Sequence, residues 1–244
     1  MDDASSLMTK DTFLHHPIIS KLYCNSSSQI ILGVRRRPLV VNGGGFVVTD
    51  SSQRIVFRVD GCGVLGSQGE LILRDSGGQP LVFISRKGGL VQIVSFRKKW
   101  KGYRYDYDGS MEPAFTFTET DTTCLPMKKA IKIKTFPRRS KKDWDFEVRG
   151  SFPDRDCTIV DYNGAVVGQV LNQKQPLLPV SFRCDKSRDF VVSFHSQICA
   201  GSRDDETVAG NDVYRVVVTP WMDQAFVIAV IATLDNIHGE STRC

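Results

Sequence analysis

Asp223-Gln224-Ala225-Phe226-Val227-Ile228-Ala229-Val230-Ile231-Ala232-Thr233-Leu234-Asp235-Asn236 is the stretch whose reading decides the fold. Its core, Ala225 to Leu234, has a single weakly polar member, so no register gives it a polar face. Asp223 is a helix-start signal, Asp235-Asn236 and Gly239 are exit signals, and a length of about four turns favours a helix despite the β-branched content. A helix apolar all round is buried all round. It falls short of the roughly 20 apolar residues that cross a bilayer, so its expected surroundings are protein. Ala225, Ala229 and Ala232 form one stripe of small side chains that a wall can approach closely, while Phe226, Ile228, Val230 and Ile231 fill the rest. The reading is a central helix over about 222–238 plugging a closed sheet.

The sequence on either side supplies the sheet. Phe46 to Asp50, Arg54 to Val59, Leu71 to Leu73 and Pro80 to Ser85 are short β-rich runs separated by turn signals such as Asp75-Ser76-Gly77-Gly78. The same syntax returns in Asp145 to Gly150, Cys157 to Asp161 and Ala165 to Leu171, and Val213 to Thr219 reads as the strand that Pro220 stops. Asn163-Gly164 between two β-branched runs predicts a hairpin with a type I′ turn, which needs positive φ at both central residues. Each half contains an Asp-x-x-Gly corner, a likeness too loose to count as a sequence repeat. No linker divides the chain. Residues 1–34 read as an N-terminal arm and residues 35–244 as one barrel domain.

The totals agree with that class. The 244 residues are 41% hydrophobic and 24% charged, which is globular composition and excludes general disorder. Seven cysteines with no CxxC pair argue against a disulfide framework or a zinc site and for a reducing compartment. The acidic start Met1-Asp2-Asp3 carries no secretory h-region, and neither myristoylation nor prenylation is encoded. The expectation is an intracellular protein, cytoplasmic or nuclear, with no transmembrane segment and any membrane contact peripheral.

Phe46-Val47-Val48-Thr49-Asp50, Ile55 to Asp60 and Leu71-Ile72-Leu73-Arg74-Asp75 resemble the opening of plant LURP-one-related proteins. Arg155-Asp156-Cys157-Thr158-Ile159-Val160-Asp161 with Gly164, Tyr214 to Val218, Pro220, Asp223 and Leu234-Asp235-Asn236-Ile237 are similar to that family's most recognisable run. The resemblance covers about residues 35 to 239. It implies a tubby-like fold, a closed antiparallel barrel of about twelve strands around a hydrophobic C-terminal helix, related in shape to the tubby C-terminal domain and to phospholipid scramblases. It also implies an association with plant defence, without a general biochemical activity. Trp221 stands where the family often has a small residue, and Ser193 to Asp212 reads as an inserted surface loop.

No catalytic or cofactor motif stands in the setting its chemistry needs. Gly61-Cys62-Gly63-Val64-Leu65-Gly66 satisfies G-x-G-x-x-G, but a strand rather than a helix follows, so no helix N-terminus is there to hold a pyrophosphate. His15, His16, His195 and His238 do not converge, and His195 with Cys199 and Asp204 or Asp205 sits in the polar loop. No enzyme activity, cofactor or metal is expected.

Charge is the remaining functional signal. The net charge is +5, yet residues 97–142 hold 13 Lys and Arg against 5 Asp and Glu, leaving 19 against 22 elsewhere. In Lys128 to Phe136, Ile131 and Ile133 alternate with Lys132 and Lys134, so a strand buries the isoleucines and sets the lysines in a row. Arg138, Arg139, Lys141 and Lys142 follow in a loop. These six cations are the candidate anionic-ligand site, with acidic phospholipid headgroups or an acidic protein partner as what they meet. A solubility face, a guard on a sheet edge and a nuclear-localisation signal stay open for the same residues. Arg97-Lys98-Lys99-Trp100-Lys101 with Tyr103, Tyr105 and Tyr107 interleaves cations with aromatics as single-strand nucleic-acid binders do, which is the alternative reading.

Overall fold

Short β-branched runs separated by aspartate and glycine corners build twelve antiparallel strands. The structure is a computed structural model that describes residues 17–24, 26–37, 44–61, 69–86, 99–106, 108–120, 130–173 and 213–238. In chain order the strands are β1 (Ile30–Arg36), β2 (Gly45–Thr49), β3 (Ile55–Asp60), β4 (Glu70–Asp75), β5 (Pro80–Arg86) and β6 (Lys99–Tyr105). β7 (Met111–Thr120), β8 (Ala130–Thr135), β9 (Phe146–Ser151), β10 (Asp156–Asp161), β11 (Val166–Asn172) and β12 (Val213–Val218) complete the set. A short 3-10 turn, η1 (Lys21–Tyr23), precedes them and α1 (Gln224–His238) follows. Each strand pairs with its neighbours in sequence, and β1 pairs with β12 from Ile30↔Val218 to Arg35↔Val213, which closes the barrel.

The closing strand begins inside the stretch that sequence grouped with the arm, since residues 30–34 belong to β1. Its apolar signal is diluted by Gly33, by Arg35 on the outer face and by Arg36 on the inner one, where it approaches Asp235, and Leu32 and Val34 are its fully buried side chains. β7 is clearer once seen: Phe115 and Phe117 point in while Thr116 and Thr118 point out.

α1 runs down the interior as the plug its composition requires. Every residue from Gln224 to Asn236 is buried. Phe226 meets the rings of Phe115 at 5.8 Å and Phe146 at 5.0 Å, and the Thr233 hydroxyl donates to the Ala229 carbonyl at 2.9 Å. The helix lies nearest β4 and β5. On β11, Gly168 makes room for Val227, whose Cγ1 would sit 3.0 Å from a Cβ at that position.

Even-numbered strands finish, and odd-numbered ones start, at the end where α1 begins; this is the upper rim. Four of its hairpins share one corner. The N–H groups of Gln53, Gly78, Gly109 and Gly164 donate to the carbonyls of Asp50, Asp75, Asp106 and Asp161, each three residues back. All four fourth residues are left-handed, with φ of 62°, 84°, 81° and 90°. At the last corner only Gly164 has positive φ, so the loop is not the type I′ turn that Asn163-Gly164 suggests. It is a three-residue loop with a left-handed glycine and a bulge at Ile159/Val160. Asp161 Oδ1 accepts from the N–H groups of Asn163 and Ala165, both at 2.8 Å, which holds Asn163 in the turn without left-handed geometry.

The upper rim also caps the helix. Asp223 Oδ1 accepts from Phe226 N–H at 3.2 Å, while its Oδ2 accepts from Ile18, Ile19 and Ser20 N–H at 3.0, 2.7 and 3.1 Å. Burial pushes this carboxyl up, and the four N–H donors pull against that shift. The arm is thereby fastened to the helix start, with Ile18 buried and Tyr23 against Phe57 at 4.7 Å. At the lower rim, Asp235 is fully buried and Arg36 Nε lies 3.9 Å from it. The Arg155 guanidinium stacks over Tyr214 at 4.2 Å and Phe152 at 4.6 Å. Among the described residues Cys24 and Cys157 are free thiols, each pushed up to about 12 by burial.

Candidate functional site

β8 alternates as its sequence demands: Ile131 and Ile133 are buried, Lys132 and Lys134 face outward. Register then does what sequence does not show. Thr118 pairs with Lys132 and Thr116 with Lys134 across β7 and β8, while Lys99 pairs with Thr118 and Lys101 with Thr116 across β6 and β7. Directly opposed residues share a face, so Lys99, Lys101, Lys132 and Lys134 form a two-by-two grid with two threonine hydroxyls between its columns. Strand geometry sets the columns roughly 10 Å apart and the rows about 7 Å apart. Two basic clusters that are separate in sequence are one surface in the fold. Glu147, opposite Lys132, borders the grid with an acid, and it pairs with Arg149 at 2.9 Å.

The loop between β8 and β9 is organised by one buried carboxylate. Asp145 Oδ2 accepts from the Thr135 N–H at 2.8 Å and hydroxyl at 3.0 Å, and Oδ1 accepts from Arg139 N–H at 3.1 Å and Ser140 N–H at 2.7 Å. Lys142 Nζ donates to the Tyr162 carbonyl at 2.6 Å, so the loop leans on the β10–β11 corner. Lys142 and Lys132 also sit over the Trp144 ring at 5.6 and 6.0 Å. Arg138 donates to the Lys142 carbonyl. Arg139 differs from its neighbours: burial pushes its guanidinium down, with Asp223 and Asp145 opposing that shift. The six cations are therefore not one row. Lys134, Arg138, Lys141 and Lys142 are exposed, Lys132 is half-buried beside Trp144, and Arg139 is half-buried and turned toward the helix start.

Several sequence expectations change here. β8 is hydrogen-bonded on both sides, so its lysines guard no sheet edge. Trp100 is 2% exposed and points into the barrel, where no base can stack on it. Tyr103 faces out beside Phe83, ring centroids 6.4 Å apart. The G-x-G-x-x-G segment beyond Gly61, the 193–212 loop with His195, Cys199, Asp204 and Asp205, and Arg97, Lys98 and Tyr107 lie outside the described residues. The strand β4 follows that glycine segment. Trp144 and the threonines were missed by sequence reading, although the alternation Phe115-Thr116-Phe117-Thr118 carried the signal for the latter.

The sequence model of the LURP-one-related family matches residues 30–188. The chain belongs to the LURP-one-related family. The matched segment runs from β1 through β11 and so contains every grid lysine and the loop after β8. Among curated proteins of Arabidopsis thaliana, this LURP-one-related chain is 45% identical to Protein LURP-one-related 6 over 227 residues, 93% of this chain and 98% of that protein. It is 38% identical to Protein LURP-one-related 16 over 235 residues, covering 93% and 95%, and 24% identical to Protein LURP-one-related 15 over 224 residues, covering 91% and 86%. No solved structure matches it. No helix among the described residues is long and apolar enough to cross a membrane.

Proposed function

We propose that this LURP-one-related chain is a non-catalytic binding protein of tubby-like architecture, acting inside the cell in plant defence signalling. Its β6–β8 face contacts acidic phospholipid headgroups. The observation that carries this reading is the grid: register gathers Lys99, Lys101, Lys132 and Lys134 onto one face, with Lys141 and Lys142 on the adjoining loop. Cations near an anionic leaflet contribute about 1 kcal/mol each before screening, so a grid of this size reaches several kcal/mol. Threonine hydroxyls between the columns add neutral donors for phosphate oxygens. The single-stranded nucleic-acid reading loses its best stacking platform with Trp100 inside the barrel, and an acidic protein partner lacks a comparable geometric argument.

Co-sedimentation with vesicles of phosphatidylserine, phosphoinositide and neutral lipid tests the proposal. Replacing Lys101, Lys132 and Lys134 together by Glu is expected to remove most binding to acidic vesicles with a small loss of Tm, because Lys134 is exposed and contributes little to folding, whereas Lys101 and Lys132 are half-buried and Lys132 gives up its place over Trp144. Wild-type binding is expected to weaken steeply as the Debye length shrinks to about 8 Å at physiological salt. Wild-type protein that ignores acidic vesicles at low salt overturns it, and loss of single-stranded nucleic acid by the same variant would put the alternative in its place.

A further inference from the structure

The exposed large apolar side chains are not scattered. Among the described residues they are Leu22 at 70%, Met111 at 50%, Ile55 and Phe136 at 43% and Trp221 at 42%. Every one belongs to the upper rim. Ile55 and Met111 open β3 and β7, Phe136 follows the end of β8, Trp221 follows the end of β12, and Leu22 lies in η1 of the arm that Asp223 fastens there.

Three of them share a sector with the loop cations. The arm is tied to the helix start by its bonds to Asp223 and by Trp221 N–H to the Ser26 carbonyl at 2.8 Å, the 136–145 loop is tied to the β10–β11 corner by Lys142 to the Tyr162 carbonyl, and Arg139 of that loop joins the two through its attraction to Asp223 and to Cys24 of the arm. Lys21, Arg138, Lys141 and Lys142 are exposed in this sector. Of its acids, Asp145, Asp161 and Asp223 are buried and accept backbone N–H groups, which leaves Asp143 as the exposed carboxylate among the described residues. Met111, by contrast, sits beside the exposed Asp106 and Asp108.

Trp221 adds an independent observation. Its φ of 62° is left-handed, a conformation rare for a bulky residue and held only where the surroundings impose it. Pro220 before it and the Asp223 cap after it fix the backbone, and the indole is presented outward. Leu22, Phe136 and Trp221 are apolar tips on three separate connections that also carry exposed cations. They suit a planar, deformable boundary, where Trp and Phe sit at headgroup depth and cations meet phosphate.

We infer that this sector of the upper rim is a lipid-inserting surface, with Leu22, Phe136 and Trp221 entering the interface of an anionic bilayer while Lys21, Arg138, Lys141 and Lys142 hold its headgroups. The inference rests on the reading of the cationic face as a headgroup contact and makes the contact end-on and partly apolar. The test pairs two variants on phosphatidylserine vesicles at low salt and at about 1 M salt, where the Debye length is about 3 Å. Leu22, Phe136 and Trp221 replaced together by Ser should still unfold cooperatively, at a lowered Tm because Phe136 and Trp221 are more than half covered, and should keep low-salt adsorption but lose salt-resistant binding by about tenfold or more. In the Trp144→Phe protein, whose Trp100 is buried, emission from Trp221 should be quenched by lipids brominated high in the acyl chain. Wild-type binding fully released by salt, with Trp221 unquenched, overturns insertion and leaves the headgroup reading standing. Loss of salt-resistant binding in the apolar variant, with the Lys101, Lys132 and Lys134 reversal binding as wild type, supports insertion, assigns the headgroup contact to the rim cations and removes the grid. Absence of wild-type binding to any acidic vesicle ends both. Should the apolar variant misfold, quenching in the Trp144→Phe protein decides alone.

Discussion

The two ends of the buried helix bring an acidic side chain inside the barrel by opposite means. At the upper rim, the Asp223 carboxylate is held by four backbone N–H groups, three from the arm and one from the first turn of α1. Its position also suits the helix dipole, whose positive end faces it. At the lower rim, Asp235 lies in the last part of α1, where the dipole opposes a negative charge, and Arg36 from β1 approaches it. One solution uses backbone and makes the arm part of the fold. The other uses a guanidinium whose side chain is 19% exposed and so keeps access to water.

Between the ends the helix has neither device, and this is where the largest effect is expected. Ala229→Asp puts a carboxylate against apolar side chains with no donor, at a cost of several kcal/mol against a typical total of 5 to about 15. No soluble folded protein is expected, read as loss of the soluble fraction and of cooperative unfolding. A near-wild-type Tm would show that the interior accommodates a third solution and would break the comparison.

The same substitution at both ends sharpens it. Asp223→Asn keeps one acceptor oxygen but turns an amide NH2 toward donors that need an acceptor, so a loss of about 2 to 3 kcal/mol is expected, together with faster proteolysis of residues 17–24. Asp235→Asn removes a charge that the helix dipole opposes and that Arg36, 19% exposed, meets only at 3.9 Å, and a smaller loss of about 1 kcal/mol is expected. Urea unfolding of the two variants checks the order. Equal losses, or an arm no more sensitive to protease in Asp223→Asn, would mean that the arm is not held through that carboxylate.

The contrast between what sequence revealed and what it concealed follows from the range of each interaction. The plug was legible because Ala225 to Leu234 admits no polar face, and the hairpins because Asp75, Gly78, Asp161 and Gly164 act within five residues of chain. Asp223 was legible as a helix start. Its hold on Ile18, Ile19 and Ser20 was not, since those partners lie more than two hundred residues away. The grid was half legible: Lys132 and Lys134 announce their outward face by alternation, but their union with Lys99 and Lys101 depends on the register of β7. Trp100 misled for the same reason. An aromatic among lysines reads as a platform until its strand position turns it inward, whereas Trp221 owes its outward place to a left-handed φ that composition does not encode.

The smallest predicted effect compares the corners of the upper rim with one another. Three place glycine at the left-handed fourth position, and the β2–β3 corner places Gln53 there at φ 62°. A Cβ built on Gly164 meets nothing within 4 Å, so Gly164→Ala has no steric partner to displace and its cost is conformational. Left-handed geometry costs an L-residue roughly 1 to 2 kcal/mol, and restriction of the unfolded chain returns about 0.4 to 1, so a net loss of about 1 kcal/mol is expected. Gln53→Gly runs the balance in reverse. It relieves the strain but frees the unfolded chain, and a gain of a few tenths to about 0.5 kcal/mol should appear in urea midpoints at unchanged slope. The backbone bonds of the corner are otherwise equivalent, since Asp50 Oδ1 accepts from Ser52 N–H at 2.8 Å and Arg54 N–H at 2.9 Å as Asp161 Oδ1 does from Asn163 and Ala165, and the Arg54 side chain adds a bond to Asp50 Oδ2 at 2.9 Å. A loss on introducing glycine would mean that the Gln53 side chain itself holds this corner, and the four hairpins would no longer be one device repeated around the rim.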